Sequence, residues 1–223
     1  MKFKAIIFDF DGVLVDSEKI HFRACEQILA SENITLTQSE YYQHYIGLSD
    51  TEMFGLILQN RRLKYTPEQI NMLTQAKLNA YKAIINSTDS LPTFPYAKPF
   101  IELYAKSMGK LAICSGSTRE EVITTLAKLE QGGLRAYFEP IITIDDFKVG
   151  KPSPQGYLMT AERLNILPKD CLAIEDTPKG ATAAKSAGMT VIALTTTHAK
   201  SAFDKVDFIA EGYQEIAAWL EHV

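Results

Sequence analysis

Lys4-Ala5-Ile6-Ile7-Phe8-Asp9-Phe10-Asp11-Gly12 is an apolar run that stops at two aspartates one residue apart. A strand over Phe3–Phe8 has a side-chain period of two, so Asp9 and Asp11 project the same way from its carboxyl end. Two carboxylates that close repel, and at neutral pH they need a cation or a shared proton. Gly12 lets the backbone turn sharply and lets amide N–H groups face a ligand. A helix cap or a solvated turn would use the same residue types. The run meets its acids too early to serve as a secretory signal.

Further strands are expected at Lys110–Cys114, Ile141–Ile144, Cys171–Ile174, Thr190–Leu194 and Phe208–Ala210. These runs are apolar almost throughout, as in strands covered on both faces. Helical signals lie between them. Thr118-Arg119-Glu120-Glu121 is a capping box opening a helix to about Leu129, and Ser153-Pro154 and Thr177-Pro178 each set a hydroxyl before a proline at a helix start. Gly109 and Gly188 close helices ahead of strands. Alternation of strand and helix predicts an α/β fold, a doubly wound parallel sheet.

One stretch breaks that alternation. From Ser17 to Asn86 there are only helical patterns, at Glu18–Ala30, Thr51–Gln59 and Pro67–Ile85, followed by a polar, proline-bearing linker at Ser87–Pro95. The expected organisation is a core of residues 1–16 and 88–223, with a small all-α domain of residues 17–87 inserted after the first strand. Late aromatics such as Tyr213 and Trp219 read as core or docking residues.

Composition narrows the class. The 223 residues are 46% apolar and 22% charged, with a formal net charge of −4, which excludes disordered and fibrous classes and gives no general attraction to nucleic acid. No segment approaches the roughly 18 apolar residues of a membrane span. The three cysteines, Cys25, Cys114 and Cys171, form no CxxC and sit in apolar runs, so free thiols in a reducing, cytoplasmic setting are expected.

Three more segments carry candidate chemistry. Ser115 and Gly116, after the second core strand, offer a hydroxyl and an amide to a phosphate oxygen, or cap the helix at Thr118. Lys151, in Gly150-Lys151-Pro152-Ser153-Pro154, could neutralise an anion or be a solvated loop lysine. Glu175-Asp176 ends another strand with adjacent acids, able to bind a cation or to cap the next helix. Each segment lies at a strand's carboxyl end or in the loop after it, where open α/β sheets bind ligands. Carboxylates with phosphate oxygens and waters are what Mg²⁺ selects, and no histidine or cysteine cluster offers zinc a site.

Asp9-x-Asp11-Gly12, Ser115, Lys151 and Glu175-Asp176, in that order, resemble the four motifs of the haloacid dehalogenase-like hydrolases. The helical insertion after the first motif resembles the cap of the subfamily that holds phosphoglycolate phosphatase and β-phosphoglucomutase. The resemblance implies a Rossmann-like core with a helical cap, and a phosphoric monoester hydrolase that uses Mg²⁺. It implies Asp9 as nucleophile toward phosphorus and Asp11 as general acid and then base. Ser115 and Lys151 would hold phosphoryl oxygens. Asp9, the Asp11 carbonyl and Asp176 would hold the metal, with Glu175 a ligand or a neighbour of one. In the cap, His21 and Ser49 match segments that meet substrate, whereas Asp50 stands where the mutase has an arginine and Thr118 where it has a lysine.

The expected partner is therefore a small phosphorylated metabolite, a sugar phosphate or a phosphoglycolate-like ester, and neither nucleic acid nor membrane. A monomer is expected, with a dimer left open. Arg61, Arg62, Lys64 and Lys77 read as a solvated helix face, the alternative being a clamp for a substrate carboxylate or phosphate. A phosphomutase is the competing enzyme. Dehalogenation does not fit the second aspartate. A phospho-receiver module places its acidic pair and its acceptor aspartate on different strands, unlike Asp9 and Asp11.

Overall fold

The computed structural model describes residues 2–223, with the backbone alone at Met108. In chain order the elements are β1 (Ala5–Phe8), α1 (Glu18–Ser31), α2 (Gln38–His44), α3 (Asp50–Asn60), α4 (Pro67–Asn86), α5 (Ala97–Met108), β2 (Leu111–Cys114), α6 (Arg119–Lys128), β3 (Phe138–Ile142), α7 (Gln155–Leu164), β4 (Cys171–Glu175), α8 (Pro178–Ser186), β5 (Thr190–Leu194), β6 (Phe208–Ala210) and α9 (Tyr213–Leu220). The chain divides into two compact units, Met1–Asp16 with Ser90–Val223, and Ser17–Asp89.

The larger unit is built on a six-stranded sheet in the order β3-β2-β1-β4-β5-β6, with every pair parallel. It is the expected Rossmann-like α/β fold. β1 is central and wholly buried, which explains why it reads as an unbroken apolar run. Phe8 is level with Ile113 of β2 on one side and with Ile174 of β4 on the other. The chain lays β2 and β3 on one side of β1 and then crosses back to β4 on its other side, so the gap beyond Phe8 is a topological switch point.

Two local expectations need correction. β3 runs Phe138–Ile142, not Ile141–Ile144. Asp146 accepts hydrogen bonds from the backbone N–H and the hydroxyl of Thr143, at 2.8 and 3.2 Å, and this turns Ile144–Asp146 into a single 3-10 turn. Pro140 is tolerated within β3 because that strand is at the sheet edge. The helix expected from Ser153 starts at Gln155, with Pro154 in the cap position and no side-chain cap. By contrast, Thr118 and Thr177 cap α6 and α8 as their spacing predicts, worth about 1 kcal/mol each. Gly109 (φ 74°) and Gly188 (φ 85°) take the left-handed conformation just after α5 and α8.

The smaller unit is all-helical around its own core, which includes Leu29, Tyr41, Phe54, Ile57 and Leu73. α2 was not foreseen. It holds its place through Tyr41, which is buried and donates to Glu18 at 2.9 Å, and through Glu40, which pairs with Arg61 at 2.8 Å. Arg61 also donates to the Thr35 carbonyl at 2.6 Å, so it clamps the end of α3 to the start of α2 rather than facing solvent alone. Cys25, Cys114 and Cys171 are buried free thiols, as expected. Among the described residues no helix is long and apolar enough to cross a membrane.

Candidate active site

Asp9 continues β1 by one residue, its N–H donating to the Ile174 carbonyl at 2.9 Å. That bond fixes the direction of a buried carboxylate. After Phe10, whose ring is buried in the core, the chain turns at Asp11-Gly12. Gly12 adopts φ 76°, and a Cβ there would lie 1.9 Å from Asp176 Oδ2. The glycine is needed for close approach as much as for its turn. Its amide donates to the Val15 carbonyl at 2.9 Å, so the N–H that the sequence offers to a ligand closes the turn instead.

β2 ends at Cys114 and delivers Ser115, which is buried and accepts from the Ser117 N–H at 2.9 Å. The cap of α6 is Thr118, so Ser115 does not serve as that cap. Nothing crowds the position of a Cβ on Gly116. Ser117 donates through its hydroxyl to Asp11 Oδ2 at 2.6 Å, a contact the sequence reading missed.

Lys151 is not a solvated loop residue. Its ammonium lies 2.5 Å from Asp9 Oδ1, bonds Glu175 Oε1, and sits 5.3 Å from the centre of the Tyr157 ring. Burial opposes its charge, but Asp9 and Glu175 outweigh burial and raise its pKa above the ordinary lysine value. Burial pushes Asp9 up to about 8; Lys151 opposes the rise while Glu175 and Asp11 add to it.

Glu175 is fully buried and heavily engaged. Its Oε1 accepts from Lys151 and, at 2.8 Å, from the Tyr157 hydroxyl. Its Oε2 accepts from the Asp176 and Thr177 N–H groups at 3.2 and 3.3 Å and from the Thr177 hydroxyl at 3.2 Å. A Cβ on Gly180, in the first turn of α8, would lie within 2.2 Å of that carboxylate. Asp176 is buried beside Gly12.

Carboxylate oxygens of Asp9, Glu175 and Asp176 lie within 4.8 Å of one another, all buried. An all-oxygen donor set of this charge fits a hard divalent cation, which would also relieve the burial that disfavours the Asp9 anion. The same unit therefore brings together Asp9, Asp11, Ser115, Lys151, Glu175 and Asp176 around the end of β1.

Comparison with known proteins gives the family. The family described as haloacid dehalogenase-like hydrolase matches residues 3–188. The chain belongs to that family. As expected from its four segments, this haloacid dehalogenase-like hydrolase is an enzyme of the phosphatase type. It is 28% identical over 187 residues to the phosphorylated carbohydrates phosphatase of Thermotoga maritima, covering 83% of this chain and 82% of that one. It is 29% identical to the β-phosphoglucomutase of Bacillus subtilis, covering 83% and 80%. The crystal structure of CbbY from Rhodobacter sphaeroides in complex with phosphate superposes with a TM-score of 0.88 at 23% identity, covering 96% of each chain, a likeness of fold.

In the hydrolase's helical unit, His21 is stacked on Tyr81 with ring centres 4.4 Å apart, and its Nδ1 lies 2.8 Å from Lys77 Nζ. Lys77 is buried, against the sequence expectation of a solvated cation, and pairs with Asp50 at 2.8 Å. Ser49 caps α3: it accepts from the Glu52 N–H at 3.4 Å and donates to Glu52 Oε2 at 2.7 Å. Besides Ser117, sequence reading missed Tyr157, which fixes Glu175, and the run Thr195-Thr196-Thr197-His198 after β5. That run carried the same signal as the others, polar residues directly beyond an apolar strand.

Proposed function

We propose that this protein is a Mg²⁺-dependent phosphatase that hydrolyses a small phosphate monoester, a sugar phosphate or a phosphoglycolate-like ester, through an aspartyl-phosphate. The observation that carries the reading is the bond between Lys151 and Asp9 inside a buried acidic cluster, with Asp11 held two residues away by Ser117. Names of relatives support the substrate class: one acts as a phosphatase of phosphorylated carbohydrates.

In this reading an oxygen of the Asp9 carboxylate attacks phosphorus and the bond from phosphorus to the ester oxygen breaks. Asp11 gives a proton to the departing alkoxide, then takes one from the water that attacks the phosphoryl group. The bond from phosphorus to Asp9 breaks, and inorganic phosphate leaves. Ser117 keeps Asp11 aimed during both transfers. Ser115 and Lys151 bind phosphoryl oxygens, and Glu175 with Tyr157 holds the ammonium in place. Asp9, the Asp11 carbonyl and Asp176 would hold Mg²⁺, whose charge favours ionised carboxylates and offsets that of the phosphoryl group. In the helical unit, His21 and Ser49 are proposed to meet the organic half of the substrate.

The β-phosphoglucomutase relative keeps a second reading in view, in which the phosphoryl group passes to another hydroxyl of the sugar. A phosphate-release screen over small esters with Mg²⁺, run beside Asp9→Asn, tests the main reading. Release from one or more esters, lost in the variant, is expected; a folded protein that releases phosphate from none would sink it.

A further inference from the structure

The loop that leaves β5 grips both halves of the acidic cluster through three consecutive residues. Thr196 donates from its hydroxyl to the Gly12 carbonyl at 2.5 Å. Thr197 donates to Asp176 Oδ2. His198 Nδ1 lies 3.2 Å from the Asp176 carbonyl, an arrangement in which that nitrogen carries the proton. The loop is itself anchored: the Thr195 N–H donates to the Ala210 carbonyl at 3.0 Å, and the His198 ring meets Phe203 edge-on. A Cβ on Gly12 would lie 1.9 Å from Asp176 Oδ2 and 2.7 Å from Thr197 Oγ1, so the carboxylate and the hydroxyl together fill the space over the Asp11-Gly12 turn.

A hydroxyl bonded to one oxygen of a buried carboxylate stops that carboxylate from rotating. It also competes for the oxygen that a two-oxygen grip on a cation would need. Mg²⁺ demands near-octahedral geometry and takes single carboxylate oxygens, whereas Ca²⁺ accepts two-oxygen carboxylates and higher coordination numbers. We propose that Thr195–His198 is a fifth segment of this site, and that Thr197 is a positioning residue that presents Asp176 to the metal through one oxygen and so favours Mg²⁺ over Ca²⁺. The inference rests on the reading that Asp176 holds the cation. Thr197 acts through Asp176 and touches no reacting atom.

Titration calorimetry of MgCl₂ and CaCl₂ into the full chain, as wild type, Thr197→Val, Thr197→Ala and Thr197→Ser, tests it without any turnover. Groups that hold metal ligands in place are typically worth ten- to a hundredfold in affinity. For Thr197→Val the Mg²⁺ dissociation constant should rise about tenfold or more. The Ca²⁺ constant should rise clearly less, and Thr197→Ser should restore the wild-type preference. Thr197→Ala carries the same expectation should the valine variant not fold. Unchanged Mg²⁺ affinity in the valine or alanine variant, or equal losses for both cations, overturns the role of Thr197. A wild type that takes up no Mg²⁺ overturns the metal reading beneath it, and the two failures are separate.

Discussion

Lys77 and Asp50 form an ion pair 2.8 Å long inside the helical unit, and the lysine side chain is only 1% exposed. A buried ammonium is retained where an anion and further acceptors surround it. Here Asp50 supplies the anion, His21 Nδ1 accepts, and the Tyr81 ring lies 5.2 Å away. Asp50, which the resemblance matches to an arginine of the mutase, therefore spends its charge on a neighbour within its own unit.

Asp50→Ala should destabilise the protein by about 3 kcal/mol, because removing one partner of a buried pair leaves the other charge poorly compensated. Equilibrium denaturation followed by circular dichroism would measure it. A loss well under about 1 kcal/mol would mean that the pair behaves as an exposed one.

Asp9→Asn keeps size and removes the nucleophilic charge. Turnover on the best ester should fall at least about a hundredfold while the far-ultraviolet spectrum is unchanged. Near-normal phosphate release from this variant would move the nucleophile elsewhere.

Chelation should abolish phosphate release, and added Mg²⁺ should restore it. Ca²⁺ should inhibit, since it accepts both oxygens of a carboxylate and would draw the nucleophilic one into its coordination. Full turnover in excess chelator is the result that removes the metal from the mechanism.

Gly180→Ala offers an internal contrast. An alanine in an ordinary helix position would stabilise by several tenths of a kcal/mol. At this position the methyl meets the Glu175 carboxylate, whose oxygens are held by Lys151, Tyr157 and Thr177. Stability should fall by about 1–3 kcal/mol as those bonds distort, and kcat should fall with it. A more stable, fully active variant would show that Glu175 can move without consequence.

Phosphorus NMR of β-glucose 1-phosphate with Mg²⁺ and a trace of the bisphosphate separates hydrolase from mutase. The resemblance matches an arginine and a lysine of the mutase to Asp50, here paired with Lys77, and to Thr118, here the cap of α6, so neither position offers a cation to a second phosphate. Free phosphate should accumulate with little glucose 6-phosphate. Stoichiometric conversion to glucose 6-phosphate without free phosphate would promote the mutase.

The sheet and the acidic corner were legible because each depends on a short, local pattern: an apolar run, then a polar or acidic residue at its carboxyl end. Asp9, Ser115 and Glu175 fit that pattern, and parallel topology does the rest by stacking those ends side by side. Lys77 was misread because its surroundings come from α1 and α3, and nothing local distinguishes it from a solvated helix lysine. Tyr157 was missed for a like reason: it is one aromatic on an amphipathic helix, and only the fold brings its hydroxyl to Glu175. α2 went unseen because Gln38–His44 is short and mostly polar, held by its Thr37 cap and by distant partners rather than by periodicity.

The central position of β1 has a consequence for biosynthesis. Ala5–Phe8 is synthesised well before its neighbours in the sheet, since β2 and β4 lie at Leu111–Cys114 and Cys171–Glu175. The helical segment Ser17–Asp89 is contiguous and emerges whole in between. Its contacts are local, so it can collapse early, while the four apolar residues of β1 wait until most of the chain has been made. Over that interval the nascent protein carries the four-residue, fully apolar β1 without its strand partners.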